Sequence, residues 1–197
     1  IFVGFIASIS SLLYPKLKRM NQDQYSSIYS STDLVISTLL LTSLILYFPI
    51  RFLILDFYEK YLDILGYLNL IIVCTYLQSK FSVVHNTFFK VVKEQKYLFY
   101  SNLALVLVLA ISIGAYNKNQ LEVRSIVWLT SIIMWVRSMV SEVFLSRVLR
   151  KAISKWVSLE FILLLVFILS TTYMSLGVSL AIFIGSLGLW FSFLRKD

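Results

Sequence analysis

Ser10-Ser11-Leu12-Leu13-Tyr14-Pro15-Lys16-Leu17-Lys18-Arg19 is the stretch on which the reading of this chain turns. An apolar run meets a proline and three cations follow at once. Proline cannot continue the helical hydrogen-bond ladder, and lysine and arginine just beyond an apolar span favour the cytoplasmic face. The stretch therefore predicts a helix that ends near Tyr14 as it leaves a membrane on the cytoplasmic side. The sidedness of every later segment then follows by counting crossings.

The rest of the chain agrees with a membrane setting. Of its 197 residues 59% are hydrophobic, the mean hydropathy is +0.84, and the charges gather in short clusters between long apolar runs. A soluble domain of this length would carry far more surface charge, so the expected fold class is an all-α integral membrane protein. The net charge of +8 reads as an orientation signal, with the lipid bilayer as partner and no nucleic acid. Cys74 and His85 are single, so the chain assembles neither a disulfide framework nor a Cys/His zinc site, and no metal or cofactor is expected.

Six apolar segments follow Arg19, at roughly 34–55, 62–89, 97–116, 123–146, 156–173 and 177–194. Each approaches the ~20 residues that span a bilayer as a helix. Their apolar positions do not alternate with period two, which excludes barrel strands and leaves a helical bundle. The run before Pro15 is only about 14 residues, short of a full span. It has neither the leading basic residues nor the cleavage site of a signal peptide, and it starts at Ile1. The expectation is a bundle of about seven transmembrane helices whose first, ending near residue 14, is truncated.

With Lys16, Lys18 and Arg19 inside, successive crossings place Lys90, Lys93, Lys96, Arg147, Arg150, Lys151, Lys155, Arg195 and Lys196 inside as well. Only Lys60, Lys118 and Arg124 fall outside, a ratio of twelve to three, and Arg51, Lys80 and Arg137 lie within spans. The carboxyl terminus is thus expected in the cytoplasm. The longest loop, Pro15 to Asp33, is polar with a few apolar positions and suits an interfacial helix. The tight uncharged turn at Met174 to Gly177 makes the last two helices an antiparallel hairpin.

Arg137 is the most costly side chain, since it lies about 15 Å from the inner end of its helix, near the centre of a core about 30 Å thick. At about 100° per residue, Thr130, Arg137 and Ser141 form one stripe flanked by Ser131, Ser138 and Glu142, while Leu129, Ile133, Val136 and Val140 face away. An arginine at this depth costs about 2.5 to 3.5 kcal/mol or more, which demands a partner or water. Two readings stand: a cavity cation that attracts a phosphate, or a structural ion pair with Glu142 or another carboxylate. Lys80 is weaker evidence. It follows Gln78 and Ser79 where its segment turns polar, and on an α-helical wheel it lies nearly opposite the face shared by Thr75, Gln78, Ser82, His85 and Asn86, so it can snorkel to the interface.

Arg51, two residues after Pro49, reads as an interfacial anchor beside a kink. Glu160 suits a helix start and is given no role. Tyr47, Phe48, Tyr58, Tyr61, Trp128 and Trp190 lie towards segment ends and read as interface belts. No nucleophile motif, phosphate-binding glycine loop or catalytic carboxylate pair occurs, so the chain carries no enzyme signature.

With that topology, the order of motifs resembles the carboxyl-terminal half of a polysaccharide flippase of the multidrug/oligosaccharidyl-lipid/polysaccharide exporter superfamily. Residues 10–17 are similar to the small-residue, Leu-Tyr-Pro-x-Leu ending of a lobe's second helix. Phe57-Tyr58-Glu59-Lys60-Tyr61-Leu62-Asp63-Ile64-Leu65 resembles the next outer loop and helix start, and Asn86-Thr87-Phe88-Phe89-Lys90-Val91-Val92-Lys93-Glu94-Gln95-Lys96, with Asn102 beyond, resembles the following inner turn. Asp56-Phe57 stands where the family often has a small residue.

The resemblance implies part of a larger transporter of 12–14 helices in the cell inner (cytoplasmic) membrane. Residues 1–155 would be a partial carboxyl-terminal lobe and 156–197 a transmembrane hairpin. It implies alternating access that flips an isoprenoid-diphosphate-linked oligosaccharide for surface polysaccharide (O-antigen, capsule) biosynthesis, beside other polysaccharide assembly proteins. Family members carry cations in a central cavity built mostly from helices outside this chain. Here Arg137, then Lys80, with Ser141 and Thr130, are the candidates for a substrate path. The alternatives are an integral-membrane polysaccharide polymerase or glycosyltransferase, whose long outer loop is not seen, and a seven-helix receptor, whose first helix would be complete.

Overall fold

The computed structural model describes residues 12–21, 24–118, 122–150 and 155–195, and all regular structure among them is helical. From residue 24 on, the α-helices are α1 (Tyr25–Ser43), α2 (Tyr47–Phe57), α3 (Leu68–Lys80), α4 (Asn86–Val91), α5 (Gln95–Asn117), α6 (Val123–Val148), α7 (Lys155–Tyr173) and α8 (Leu176–Leu194). Five stretches are long and apolar enough to cross a membrane: Tyr25–Phe57, Gln95–Tyr116, Val123–Val148, Trp156–Tyr173 and Leu176–Leu194. Such a set marks a multi-pass membrane protein. A sixth crossing arises if Glu59–Gly66 and Leu68–Val91, bent by 67°, form one broken span.

Several expected boundaries move. Helix continues through Pro15 to residue 18, and Arg19 N–H to Lys16 O and Met20 N–H to Leu17 O then turn the chain. Proline has helical φ and lacks only one donor, so residues after it can remain helical. The truncated helix expected before residue 14 lies outside the described residues except for 12–14.

The polar loop expected up to Asp33 is shorter, because α1 begins at Tyr25 and carries Tyr29 and Asp33 into the span. That span is interrupted at Leu44–Leu46, a 3₁₀ turn ahead of Pro49. Pro49 has no N–H for the carbonyl four residues back, and the tightened turn takes up the break. The segment expected as one helix over 62–89 is instead a 3₁₀ stretch, Glu59–Gly66, then α3, a π-helical turn at Phe81–His85, and α4.

The chain divides into two compact units. The first holds the described residues of Ile1–Ser37 and Leu77–Ile153, the second those of Thr38–Tyr76 and Ser154–Asp197. In the first unit α6 buries its polar side: Ser131, Arg137, Ser138, Ser141, Glu142, Leu145 and Ser146 are buried, while Leu129, Ile132, Val136, Met139 and Val140 are exposed. That inversion of the soluble pattern is stable where the surroundings are lipid. Only 11% of the most apolar stretch of α5 is buried, so that helix offers most of its surface to the bilayer.

In the second unit α7 and α8 form a hairpin through Met174 and Ser175. Its core is aromatic, with Phe167 ringed by Tyr47, Phe48 and Phe183 at centroid separations of 5.4, 6.5 and 5.2 Å. Trp190 is buried and donates its indole N–H to Thr38 Oγ1 at 3.1 Å. Tyr47, Phe48 and Trp190 are therefore core residues rather than belt residues, whereas Tyr58, Tyr61 and Trp128 are exposed. An indole or phenol near a helix end serves either place, and the neighbouring helix decides.

Candidate functional site

The first unit gathers its buried charges around the π turn. Asn86 N–H bonds Phe81 O, a bond across five residues, so one turn here takes an extra residue relative to an α-helix. Residues 80 and 85 stand about 140° apart on an α-helical wheel but fall on the same side when five residues close a turn. Lys80 thereby joins His85 instead of opposing it.

Two clusters result. In the first, Lys80 Nζ lies 3.0 Å from Asp33 Oδ1, with the two side chains 2% and 6% exposed. His85 Nε2 lies 3.3 Å from Glu142 Oε2, and the same oxygen accepts a short hydrogen bond from the Tyr29 hydroxyl. His85 is fully buried and its Nδ1 has no hydrogen-bond partner among the described residues. Because a carboxylate only accepts, Nε2 is the ring nitrogen that donates to Glu142. Donor atoms of Asp33, His85 and Glu142 lie within 4.8 Å of one another, a mixed nitrogen and oxygen set of the kind metals use. The Lys80 ammonium already occupies Asp33, so a metal would compete with it.

The second cluster is centred on Arg137, 9% exposed. Its Nε donates to Ser101 Oγ at 3.1 Å, Nη1 to Gln78 Oε1 at 3.4 Å and Nη2 to Asn102 Oδ1 at 2.6 Å. The guanidinium carbon sits 3.4 Å from the centroid of the Phe81 ring, a cation–π contact that a desolvated site strengthens. No carboxylate lies within ion-pair distance of Arg137 among the described residues. Glu142, the partner expected for a structural ion pair, belongs to Tyr29 and His85. The two clusters meet through Phe81 and His85, whose rings pack edge to face at 5.7 Å.

Of the other expected site residues, Ser141 is fully buried one turn from Arg137. Its hydroxyl donates to Arg137 O at 2.7 Å and lies 3.3 Å from the Tyr97 hydroxyl. Tyr97 in turn stacks against both Phe89 and Phe144, which also touch each other. Thr130 is half-buried and bonds back to Ile126 O at 2.8 Å, so it does not join the arginine's shell.

Sequence reasoning missed Asp33 and Tyr29, placed in a loop, and gave Asn102 no contact. Their signal lay in position: Asp33 adjoins an apolar run, and Tyr29 precedes it by one helical turn.

The second unit holds its own polar groups. Asn69 Nδ2 donates to Thr171 Oγ1 at 3.0 Å and Thr172 Oγ1 at 2.8 Å. Arg51 Nη1 donates to the Tyr47 hydroxyl at 2.7 Å, which ties this arginine to the aromatic core. Glu160, given no role from sequence, is buried and accepts from the Tyr76 hydroxyl at 2.8 Å.

No family model, curated protein or solved structure matches the chain.

Proposed function

We propose that this chain is part of a membrane transporter that flips isoprenoid-diphosphate-linked oligosaccharide from the inner to the outer leaflet of the cytoplasmic membrane, by alternating access, for surface polysaccharide biosynthesis. In this reading the chain supplies about seven spans, the carboxyl terminus is cytoplasmic, and Arg137 lends positive potential to the path of the diphosphate.

The observation that carries the proposal is the neutral shell of Arg137. A buried arginine paired with a carboxylate has little field to offer a passing anion. Arg137 is held by a hydroxyl, two amide oxygens and a ring face, which orient the guanidinium and leave its full charge uncompensated within that shell. Ionisable groups at this depth in a bundle are characteristic of substrate and ion pathways, and transporters place their sites near the bilayer midplane. Lys80 contributes less in this scheme, because Asp33 neutralises it at 3.0 Å. Ser141 shares the buried face of α6 with Arg137.

The test is complementation of a flippase-deficient strain with the protein carrying Arg137→Ala. Surface polysaccharide is expected to fall sharply at unchanged protein level. Undiminished polysaccharide at normal level removes Arg137 from the mechanism.

A further inference from the structure

Among the described residues only Lys93 and Arg150 have positive φ, at 64° and 52°. Each lies two residues past the end of a helix: α4 ends at Val91 and α6 at Val148. After α4, Glu94 N–H bonds Phe89 O at 2.9 Å and Lys93 N–H bonds Lys90 O at 3.4 Å; after α6, Arg150 N–H bonds Arg147 O at 3.1 Å. These are left-handed helix terminations, where glycine is the ordinary residue because a Cβ is strained there. This chain twice places a long cation at such a position. Both cations line the same cavity of about 610 Å³, together with Tyr25 and Ser26 of the first turn of α1.

The depth of the cavity follows from helix length. At 1.5 Å per residue α6 covers about 39 Å, more than a hydrocarbon core of about 30 Å, so its terminal turn and Arg150 reach the headgroup region. The cavity thus combines two exposed cations, a phenol, a serine and the positive end of the α1 dipole at the level where lipid phosphates lie. Its floor includes Val91, Val92, Val148 and Leu149, apolar surface suited to the glycerol and upper chain of a lipid.

We propose that this basic cavity is a binding site for an anionic phosphate, the chemistry shared by an acidic phospholipid headgroup and free phosphate. The site requires only that the helices span a bilayer, and it stands apart from Arg137 and from the transport reading.

The two left-handed positions supply an unusual test. Lys93→Gly with Arg150→Gly removes both cations and relieves backbone strain, so the variant is expected to melt no lower than the parent in neutral detergent. Short-chain phosphatidylglycerol, phosphatidylcholine and inorganic phosphate are each titrated into the purified full chain while its melting temperature is followed. The parent is expected to gain stability with phosphatidylglycerol and not with phosphatidylcholine. Each cation near a headgroup is worth about fivefold in affinity, so the glycine variant should need about 25-fold more lipid for the same shift.

Stabilisation by inorganic phosphate at matched concentration assigns the site to free phosphate; stabilisation by phosphatidylglycerol alone assigns it to the headgroup. A control, Lys60→Gln with Lys118→Gln, removes two charges elsewhere and should respond as the parent does. The proposal is overturned if the glycine variant follows the parent's titration, if the control loses as much, or if neither anion stabilises the parent.

Discussion

Separating Lys80 from Asp33 is the sharpest perturbation of the buried network. Their ionic groups are 3.0 Å apart and both side chains are almost wholly excluded from the surface. Lys80→Met leaves the Asp33 carboxylate buried without its ammonium, and Asp33→Leu leaves the ammonium without its carboxylate. Removing one partner of a buried pair costs about 3–5 kcal/mol, whereas replacing both with apolar groups of similar size is often neutral or stabilising. If the two losses were independent, the double variant would fall by about 6–10 kcal/mol; coupling through one ion pair predicts a change near zero.

The assay is a double-mutant cycle read by thermal melting of the purified protein and by its level in membranes. For a chain of this size about 1 kcal/mol moves a melting temperature by about 2–4 °C. Each single variant should therefore lose about 6–20 °C, and the double variant should recover most of it. A double variant that melts as low as the summed singles would show that the two side chains act independently, and the pairing argument fails.

Further tests address the remaining contacts. Arg137→Lys keeps the charge but has one ammonium where the guanidinium reaches Ser101, Gln78 and Asn102; surface polysaccharide in the complementation assay should be reduced, though less than with Arg137→Ala. Tyr29→Phe deletes a hydrogen bond to the Glu142 carboxylate and should lower stability by about 1.5–3 kcal/mol, read in denaturant unfolding from detergent. Phe183→Ala in the second unit empties a place beside Phe48 and Phe167. It should cost about 3–5 kcal/mol, while Phe191→Ala on the exposed side of α8 should cost far less by the same melt.

The sequence made some features of this network readable and hid others. The buried face of α6 was legible because serines, a glutamate and an arginine recur on one side of an otherwise apolar helix, and lipid exposes the opposite side. The partner of Arg137 was not legible, since spacing along α6 placed Glu142 nearby while the Tyr29 hydroxyl and His85 claimed it. Lys80 was misplaced for a geometric reason: a wheel drawn at a constant 100° per residue cannot know of the π turn.

Asp33 and Tyr29 were hidden by composition, because a polar stretch beside an apolar run reads as loop although α1 continues through it. The aromatic residues divided between belt and core because hydrophobicity marks both alike inside a membrane. Only the neighbouring helix, as Phe167 does for Tyr47 and Phe48, decides between them.

The π turn at Phe81–His85 also makes the two ends of its helix separately adjustable. It acts as a phase offset: residues before it follow one angular frame and residues after it another. Deleting a single residue there would remove the extra residue and restore a continuous α-helix with both flanks on their present faces, whereas deleting one from the regular helix of α3 would swing its two sides apart by about 100°. After such a deletion in the turn Thr87, Phe88 and Phe89, now buried, would keep their neighbours and Gln78 its bearing on Arg137, and what is lost is the side-by-side placement of Lys80 and His85. A one-residue deletion in this short turn should therefore be better tolerated than one in the α-helix on either side, as read by the level of protein in membranes.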